Sequence, residues 1–255
     1  MAGETRVEDI GGVRWVRFDR PDKRNALRIE DVEAIRAAVR DAPADCTCIV
    51  FTGENGHFAA GADVSSFSAA SMGKLEVADE SVGQKMIREV RTCQRPTIAA
   101  IEGYCVGLAM VLSAMCDIRV VSKTAKFSMP EVKIGIPVIG DSAIFAQYIG
   151  LARSREMLLT GAFYSAEQME RWGFINRLVD EGGAVAAAQE FIDLFRELPP
   201  RTVAAQKRIF EAWYQMPPRD AHRLSILEYA VTVAHPETGE WIDQFTSRRN
   251  EGKKP

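Results

Sequence analysis

Two short stretches of the chain offer chemistry. Residues 57–67, HFAAGADVSSF, and residues 103–110, GYCVGLAM, each follow a β-rich run and precede a helical pattern. Both set small residues where a strand turns into a helix, so backbone N–H groups can approach a ligand closely. Two N–H groups converging on one oxygen form an oxyanion hole, which stabilises negative charge developing in a transition state. Taken singly, either set of glycines would serve equally to permit a tight turn. The second stretch is the more unusual. Between Glu102 and Asp117 there is no charged side chain, and the part after Gly107 reads as a helix apolar on every face. The positive end of a buried helix dipole is then aimed at something, and no acidic side chain of that stretch answers it.

Other chemistries lack their motifs. There is no phosphate loop of the G-x4-G-K-[ST] type, no G-x-G-x-x-G after a strand, no G-x-S-x-G and no H-E-x-x-H. His57, His222 and His235 lie far apart without triad-like companions. The five cysteines, Cys46, Cys48, Cys93, Cys105 and Cys116, are odd in number, and two sit in the apolar segment. That pattern predicts reduced, buried thiols in a cytoplasmic protein, and C-x-C alone makes no zinc site. A net charge of -3 gives no polycationic footprint for nucleic acid. The helical pattern 29–42 sets only Arg36 and Arg40 against Glu30, Asp31, Glu33 and Asp41, which argues against RNA as well. The N-terminus has no apolar signal core, and the charge-free run 103–116 is too short for a bilayer, which takes about 20 apolar residues. A soluble chain without a membrane partner is expected.

The elements that must position these stretches follow from periodicity. At 255 residues, 47% hydrophobic and 26% charged, the chain fits one large domain or a domain with an appendage. VRWVRFD (13–19) alternates as a strand. IEDVEAIRAAVRDA places Val32, Ile35 and Val39 on one helical face, with Glu30 and Asp31 in the first turn. Runs 48–53, 97–101 and 117–122 are continuously apolar, as strands of an α/β sheet covered on both faces are. A polar-rich helix is expected over 72–93. From residue 141 the pattern turns helical. Segments 141–149 and 152–160 end at Gly150 and Gly161, and Ser165 with Gln168 makes a capping box for a helix stopping at Gly173. A short strand, 174–180, precedes helices at 183–197, 201–215 and 219–234, separated by Pro199-Pro200 and Pro217-Pro218. The tail 248–255 is expected to fray. The division is an α/β core, 1–195, and a helical C-terminal region, 196–255.

Several ordered motifs together carry a resemblance. FAAGAD at 58–63, PTIAAIEGYCVGLAMVLSAMCDIRVVS at 96–122 and FSMPEVKIGIP at 127–137 are similar to segments of the crotonase superfamily, the enoyl-CoA hydratase/isomerase family. RPDKRNAL at 20–27 and GLARSREMLLTGAFYSAEQMERWGFINRLV at 150–179 extend the resemblance over residues 8 to 215. It implies a spiral of ββα units followed by a helical C-terminal region used in trimerisation.

The resemblance also implies roles. The thioester carbonyl of an acyl-CoA would accept hydrogen bonds from the backbone N–H groups of Ala62 and Leu108, the latter just after Gly107. Family members usually have glycine where Leu108 stands, so the leucine should alter pocket shape or hole geometry. Hydratases of the family carry one glutamate at the position of Val111, which cannot transfer a proton, and another at Glu131, which is present. Adding water across a double bond is easiest with two positioned carboxylates, whereas moving a double bond needs one base. Val111 with Glu131 resembles the monofunctional Δ3-Δ2-enoyl-CoA isomerases. The ordinary alternative for Glu131 is a surface pair with Lys133. Asp141 is either a helix cap or a second acid, which would restore a two-acid hydration mechanism. Asp63 reads as an N-cap beside the Ala62 donor.

By the same resemblance Lys23 and Arg24 would contact the CoA phosphates, a solvated turn being the alternative, and Ala26 and Ala60 are candidates for the CoA-binding site beside them. Phe58, Phe67, Met110, Val111, Ile136 and Ile139 are candidates for the acyl pocket, or core by default. The expected activity is isomerisation of an enoyl-CoA through an enolate, with hydration, decarboxylation or thioester hydrolysis as alternatives. A non-catalytic acyl-CoA-binding protein is the alternative of another class. No metal or redox cofactor is implied, coenzyme A being part of the substrate, and a homotrimer or hexamer is expected.

Overall fold

The computed structural model describes residues 3–66 and 81–251. Residues 1–195 form one compact unit and residues 196–255 a second. In the first, strands β1 (Arg6–Ile10), β2 (Val13–Phe18), β3 (Cys48–Gly53), β4 (Thr97–Ile101), β6 (Ile118–Ser122) and β9 (Arg177–Val179) make a six-stranded sheet in the order β1-β2-β3-β4-β6-β9. Only the β1–β2 pair is antiparallel. A second sheet joins β5 (Tyr104–Val106), β7 (Lys126–Ser128) and β8 (Tyr164–Ser165) in the order β5-β7-β8.

Alternation along the central strands explains their apolar continuity. Ile49, Phe51, Ala99, Ile101 and Val121 face one core, with helices α1 (Ile29–Arg40), α2 (Val82–Arg91) and α3 (Leu108–Met115). Cys48, Val50, Ile98, Ala100 and Val120 face another, closed by Ala184, Ala188 and Ile192. Both faces are therefore dry, as parallel sheets require. Helices α4 (Phe145–Ile149), α5 (Leu151–Thr160), α6 (Ala166–Arg171) and α7 (Ala184–Arg196) complete this unit. Ser165 and Gln168 form the expected capping box at the start of α6. All five cysteines are buried and none forms a disulfide, and burial pushes the Cys105 thiol up to about 12.

The second unit holds α8 (Pro200–Gln215), α9 (Pro218–Val233) and α10 (Pro236–Glu251). Proline in the first turn of α8 and α9 supplies a preset φ where no N–H is needed. Arg208 of α8 meets Glu228 of α9 through two hydrogen bonds, at 2.8 and 2.7 Å. The expected frayed tail is corrected in part, since residues 248–251 continue α10. The helix expected over 72–93 is described only from residue 81 onward, where α2 occupies Val82–Arg91. No helix of the described residues is long and apolar enough to cross a membrane.

Candidate active site

Three segments meet at two glycines. A Cβ at Gly61 (φ 94°) would lie 2.9 Å from the Val106 carbonyl oxygen and 3.7 Å from the Gly107 Cα. A Cβ at Gly107 (φ 54°, ψ −125°) would lie 2.8 Å from Glu131 Oε1. Only glycine takes these conformations without strain, and only glycine leaves room for this approach. The segments are stitched together by backbone bonds. Phe58 and Ala59 N–H donate to the Glu102 and Tyr104 carbonyls, Val106 N–H donates back to Ala59, and Gly107 N–H donates to Ser128. Sequence positions 58–61, 103–107 and 127–131 thus become one wall.

That wall presents two N–H groups. Leu27 N–H donates to Gly61 O and Asp63 N–H to Leu27 O. These bonds flank Ala62, and in a parallel bridge the intervening residue's own N–H points away from the partner strand. Leu108 is the first residue of α3, so its N–H has no acceptor inside the helix. Each donor directly follows one of the two touching glycines. The Leu108 side chain is partly buried and extends toward α2, its Cδ1 lying 3.8 Å from where a Cβ of Gly83 would stand. Its backbone is helical, so leucine costs this position no positive φ.

Glu131 opens a 3₁₀ turn, Glu131–Ile134, closed by Gly135 at φ 76°. The turn is braced from behind. Ser128 Oγ donates to the Gly161 carbonyl at 3.1 Å, and a Cβ on Gly161, which ends α5, would come within 3.0 Å of Pro130 Cα. Glu131 Oε2 is buried without a hydrogen-bond partner. Burial raises the carboxyl above its ordinary 4.5, opposed only by the residue's own N–H. Pairing with Lys133, the ordinary alternative, is not formed, and among the described residues no cation stands within ion-pair distance of the carboxyl. A desolvated carboxylate with one oxygen unpartnered among the described residues has raised basicity.

The remaining expected residues divide clearly. Val111 is buried on the first turn of α3 at 7% exposure. Asp141 is not a helix cap, because its 3₁₀ turn, Gly140–Ile144, is capped by Ile139. Its carboxylate instead pairs with the Arg91 guanidinium of α2. Asp63 caps the 3₁₀ turn Val64–Ser66 through Ser65 N–H and Oγ, at 3.1 and 2.6 Å, and accepts from Arg20 Nη1 at 2.5 Å. The Ser65 hydroxyl and then Arg20 hold its carboxyl at about 2. Phe58 and Met110 are corrected from pocket candidates to core residues. Both are 0% exposed, and Phe58 meets Phe18 edge-on at 5.3 Å. Ile136 is half-buried and Ile139 exposed, while Phe67 lies outside the described residues.

In the 20–27 loop, Ala60 N–H donates to Arg24 O at 3.0 Å, and Ala26 O accepts from Arg20 at 3.1 Å. Arg24 lies over the Tyr104 ring at 5.0 Å, and Lys23 is exposed. Asn25, which sequence reasoning passed over, holds this loop to its neighbour. It sits at φ 58°, accepts from Arg20 N–H at 2.8 Å, and donates to the Glu54 and His57 carbonyls at 2.9 and 2.7 Å. The available signal was an asparagine in a polar turn, the residue that best tolerates left-handed backbone after glycine.

Known proteins share this arrangement of chain. The family model described as enoyl-CoA hydratase/isomerase matches residues 8–251. Carnitinyl-CoA dehydratase of Salmonella enteritidis is 32% identical over 249 residues, 94% of each chain. A Mycobacterium bovis protein named "Probable enoyl-CoA hydratase" is 34% identical over 176 residues, 68% of this chain and 67% of its own. The crystal structure of an enoyl-CoA hydratase from Polaromonas superposes with a TM-score of 0.88 at 25% identity, covering 96% of this chain and 98% of that one. The chain therefore belongs to the enoyl-CoA hydratase/isomerase family and carries the crotonase fold.

Proposed function

We propose that the protein shifts the double bond of a 3-enoyl-CoA to give the 2-enoyl-CoA, with Glu131 as the single proton carrier. The observation that carries this reading is the Glu131 carboxyl, buried on one oxygen without a partner and set against Gly107, where the α3 N-terminus begins. The thioester oxygen would accept from Ala62 and Leu108 N–H. Glu131 would remove a proton from C2, the charge would pass to the oxygen as an enolate, and the acid formed would return the proton to C4. Fixed N–H dipoles in a dry site stabilise that enolate without solvent reorganisation. Lys23 and Arg24, on the loop tied to Ala60, would contact the CoA phosphates. No further cofactor is called for.

Hydration of a 2-enoyl-CoA is the second reading, favoured by relatives named hydratase and dehydratase. It requires a second group to orient water. Val111 cannot do so, and Asp141 is engaged by Arg91. The test is chromatographic resolution of the products formed from 3-enoyl-CoA and 2-enoyl-CoA by wild type and Glu131→Gln. Conversion of the 3-enoyl substrate alone, lost by about 10²–10⁴-fold in the variant, is expected. Formation of 3-hydroxyacyl-CoA would refute the one-base reading, and retained binding without turnover would favour a non-catalytic acyl-CoA-binding protein.

The second unit leaves Trp213, Leu227, Val231 and Phe245 at least 60% exposed. Such a surface supports self-association, expected as a trimer or hexamer and measured by analytical ultracentrifugation.

A further inference from the structure

The carbonyl end of α3 holds a charge that the mechanism above leaves unused. Arg119, on β6, is 3% exposed. Its Nε donates to the Phe174 carbonyl at 2.6 Å, and its Nη1 to the Cys116 and Ser113 carbonyls at 2.7 and 3.3 Å. The guanidinium lies 4.6 Å from the Tyr148 ring and 5.1 Å from the Phe174 ring. Among the described residues no carboxylate stands within ion-pair distance of it. Burying a cation without a counter-ion is costly, and capping carbonyls does not require one. Tyr148 shows this at the same helix end, where its neutral hydroxyl donates to the Ala114 carbonyl at 3.1 Å.

Ser113 belongs to the last turn of α3 and Cys116 is its C-cap. The charge therefore sits on the negative end of the helix whose positive end presents the Leu108 N–H. We propose that Arg119 is a positioning residue for the oxyanion hole: it fixes α3 at its carbonyl end and adds an uncompensated positive field along the helix axis toward the thioester oxygen. The proposal rests on the reading that Leu108 N–H binds that oxygen. An α-helix of eight residues is about 12 Å long. With about 3 Å of hydrogen bond at each end, the guanidinium and the enolate oxygen stand about 18 Å apart, and at an effective dielectric constant of about 20 a unit charge at that range favours the oxygen by about fivefold in rate.

The test reads the field directly. A 4-aminocinnamoyl-CoA, whose absorption moves to the red when its thioester carbonyl is polarised, is bound to wild type, Arg119→Gln, Arg119→Lys and Tyr148→Phe. Thermal unfolding is measured on each, and kcat and KM are taken with whichever enoyl-CoA isomer turns over. Arg119→Gln should lose at least half of the red shift and about fivefold in kcat, with KM within twofold. Arg119→Lys should keep most of the red shift even though its melting temperature falls, and Tyr148→Phe should keep all of it.

The proposal is overturned if Arg119→Gln matches wild type. It is also overturned if Arg119→Lys loses most of the shift, or if Tyr148→Phe loses as much as Arg119→Gln. Should Arg119→Gln not fold, Arg119→Lys decides, because a retained shift at lowered stability separates charge from mechanical anchoring. A wild type that binds the chromophore without any red shift refutes the hole itself, an outcome distinct from all of these.

Discussion

Gly107→Ala tests the site at its tightest point. The residue has φ 54° and ψ −125°, a conformation that L-residues avoid at a cost of about 1–3 kcal/mol. In a chain of this size each kcal/mol lowers the melting temperature by about 2–4 °C, so a fall of about 2–12 °C is expected. The added methyl carbon would stand 2.8 Å from Glu131 Oε1, where ordinary contact begins at 3.4 Å. The carboxylate must retreat by about half an ångström or more, and displacement on the order of 1 Å from the reacting atom costs about 10²-fold in rate.

The expected outcome is therefore a folded variant that binds the thioester within a few-fold of wild type and turns over up to about 10²-fold more slowly. Gly182→Ala separates strain from displacement. Gly182 has φ 79°, and its added carbon would meet nothing within 4 Å, so that variant should lose stability and keep kcat. Steady-state kinetics and differential scanning calorimetry on both variants give the answer. If Gly107→Ala keeps kcat within threefold of wild type while its melting temperature falls, Glu131 is not the group that meets the reacting carbon.

Glu131→Gln should melt higher than wild type at pH 7–8. The folded-state pKa of Glu131 lies above its ordinary 4.5, so ionising it opposes folding. Stability from this group is complete below the unfolded value and lost as pH rises through the folded one, and the gap between variant and wild type should close toward pH 4. Asp63 has the opposite sign. Its folded pKa of about 2 lies below the ordinary 3.8, so its contribution is present above pH 4 and is lost as pH falls toward 2. Asp63→Asn should cost about 1–3 kcal/mol in urea unfolding at pH 7 and raise KM, since the residue ties the 20–27 loop to the Ala62 donor. Asp141→Asn should leave isomerisation within about tenfold of wild type, whereas loss of a true proton donor would cost about 10²–10⁴-fold.

The long strands of the large sheet were legible because burial on both faces makes them continuously apolar. The strands that build the site were not. β5, β7 and β8 are two or three residues long and pair across distance, Cys105 with Phe127 and Phe127 with Tyr164, so no local period marks them. β1, RVEDI, is mostly exposed and charged, and holds its shape through pairing with β2. Helix α10 went unread because its apolar positions are sparse and largely exposed. The Ala62 and Leu108 donors are backbone groups that every residue except proline carries, so only the run of motifs drew attention to them. Phe58 shows the reverse error. An aromatic residue beside a binding loop invites a pocket assignment, yet Phe58 is fully buried and packs edge-on against Phe18.

The choice between moving a double bond and adding water reduces to how many groups can hold a water molecule beside C3. A hydratase has to seat the nucleophile with both lone-pair and proton partners, which takes a second polar side chain opposite the base. On the reading proposed here that position belongs to Val111, apolar and 7% exposed. The other acid of the region spends its charge on Arg91. Among the described residues Glu131 alone remains, and desolvation strengthens it as a base. One structural choice, an apolar first turn on α3, thus acts twice. It leaves the N–H dipoles of that helix in apolar surroundings, and on the proposed reading it would leave one carboxylate to pass one proton between two carbons of the same substrate.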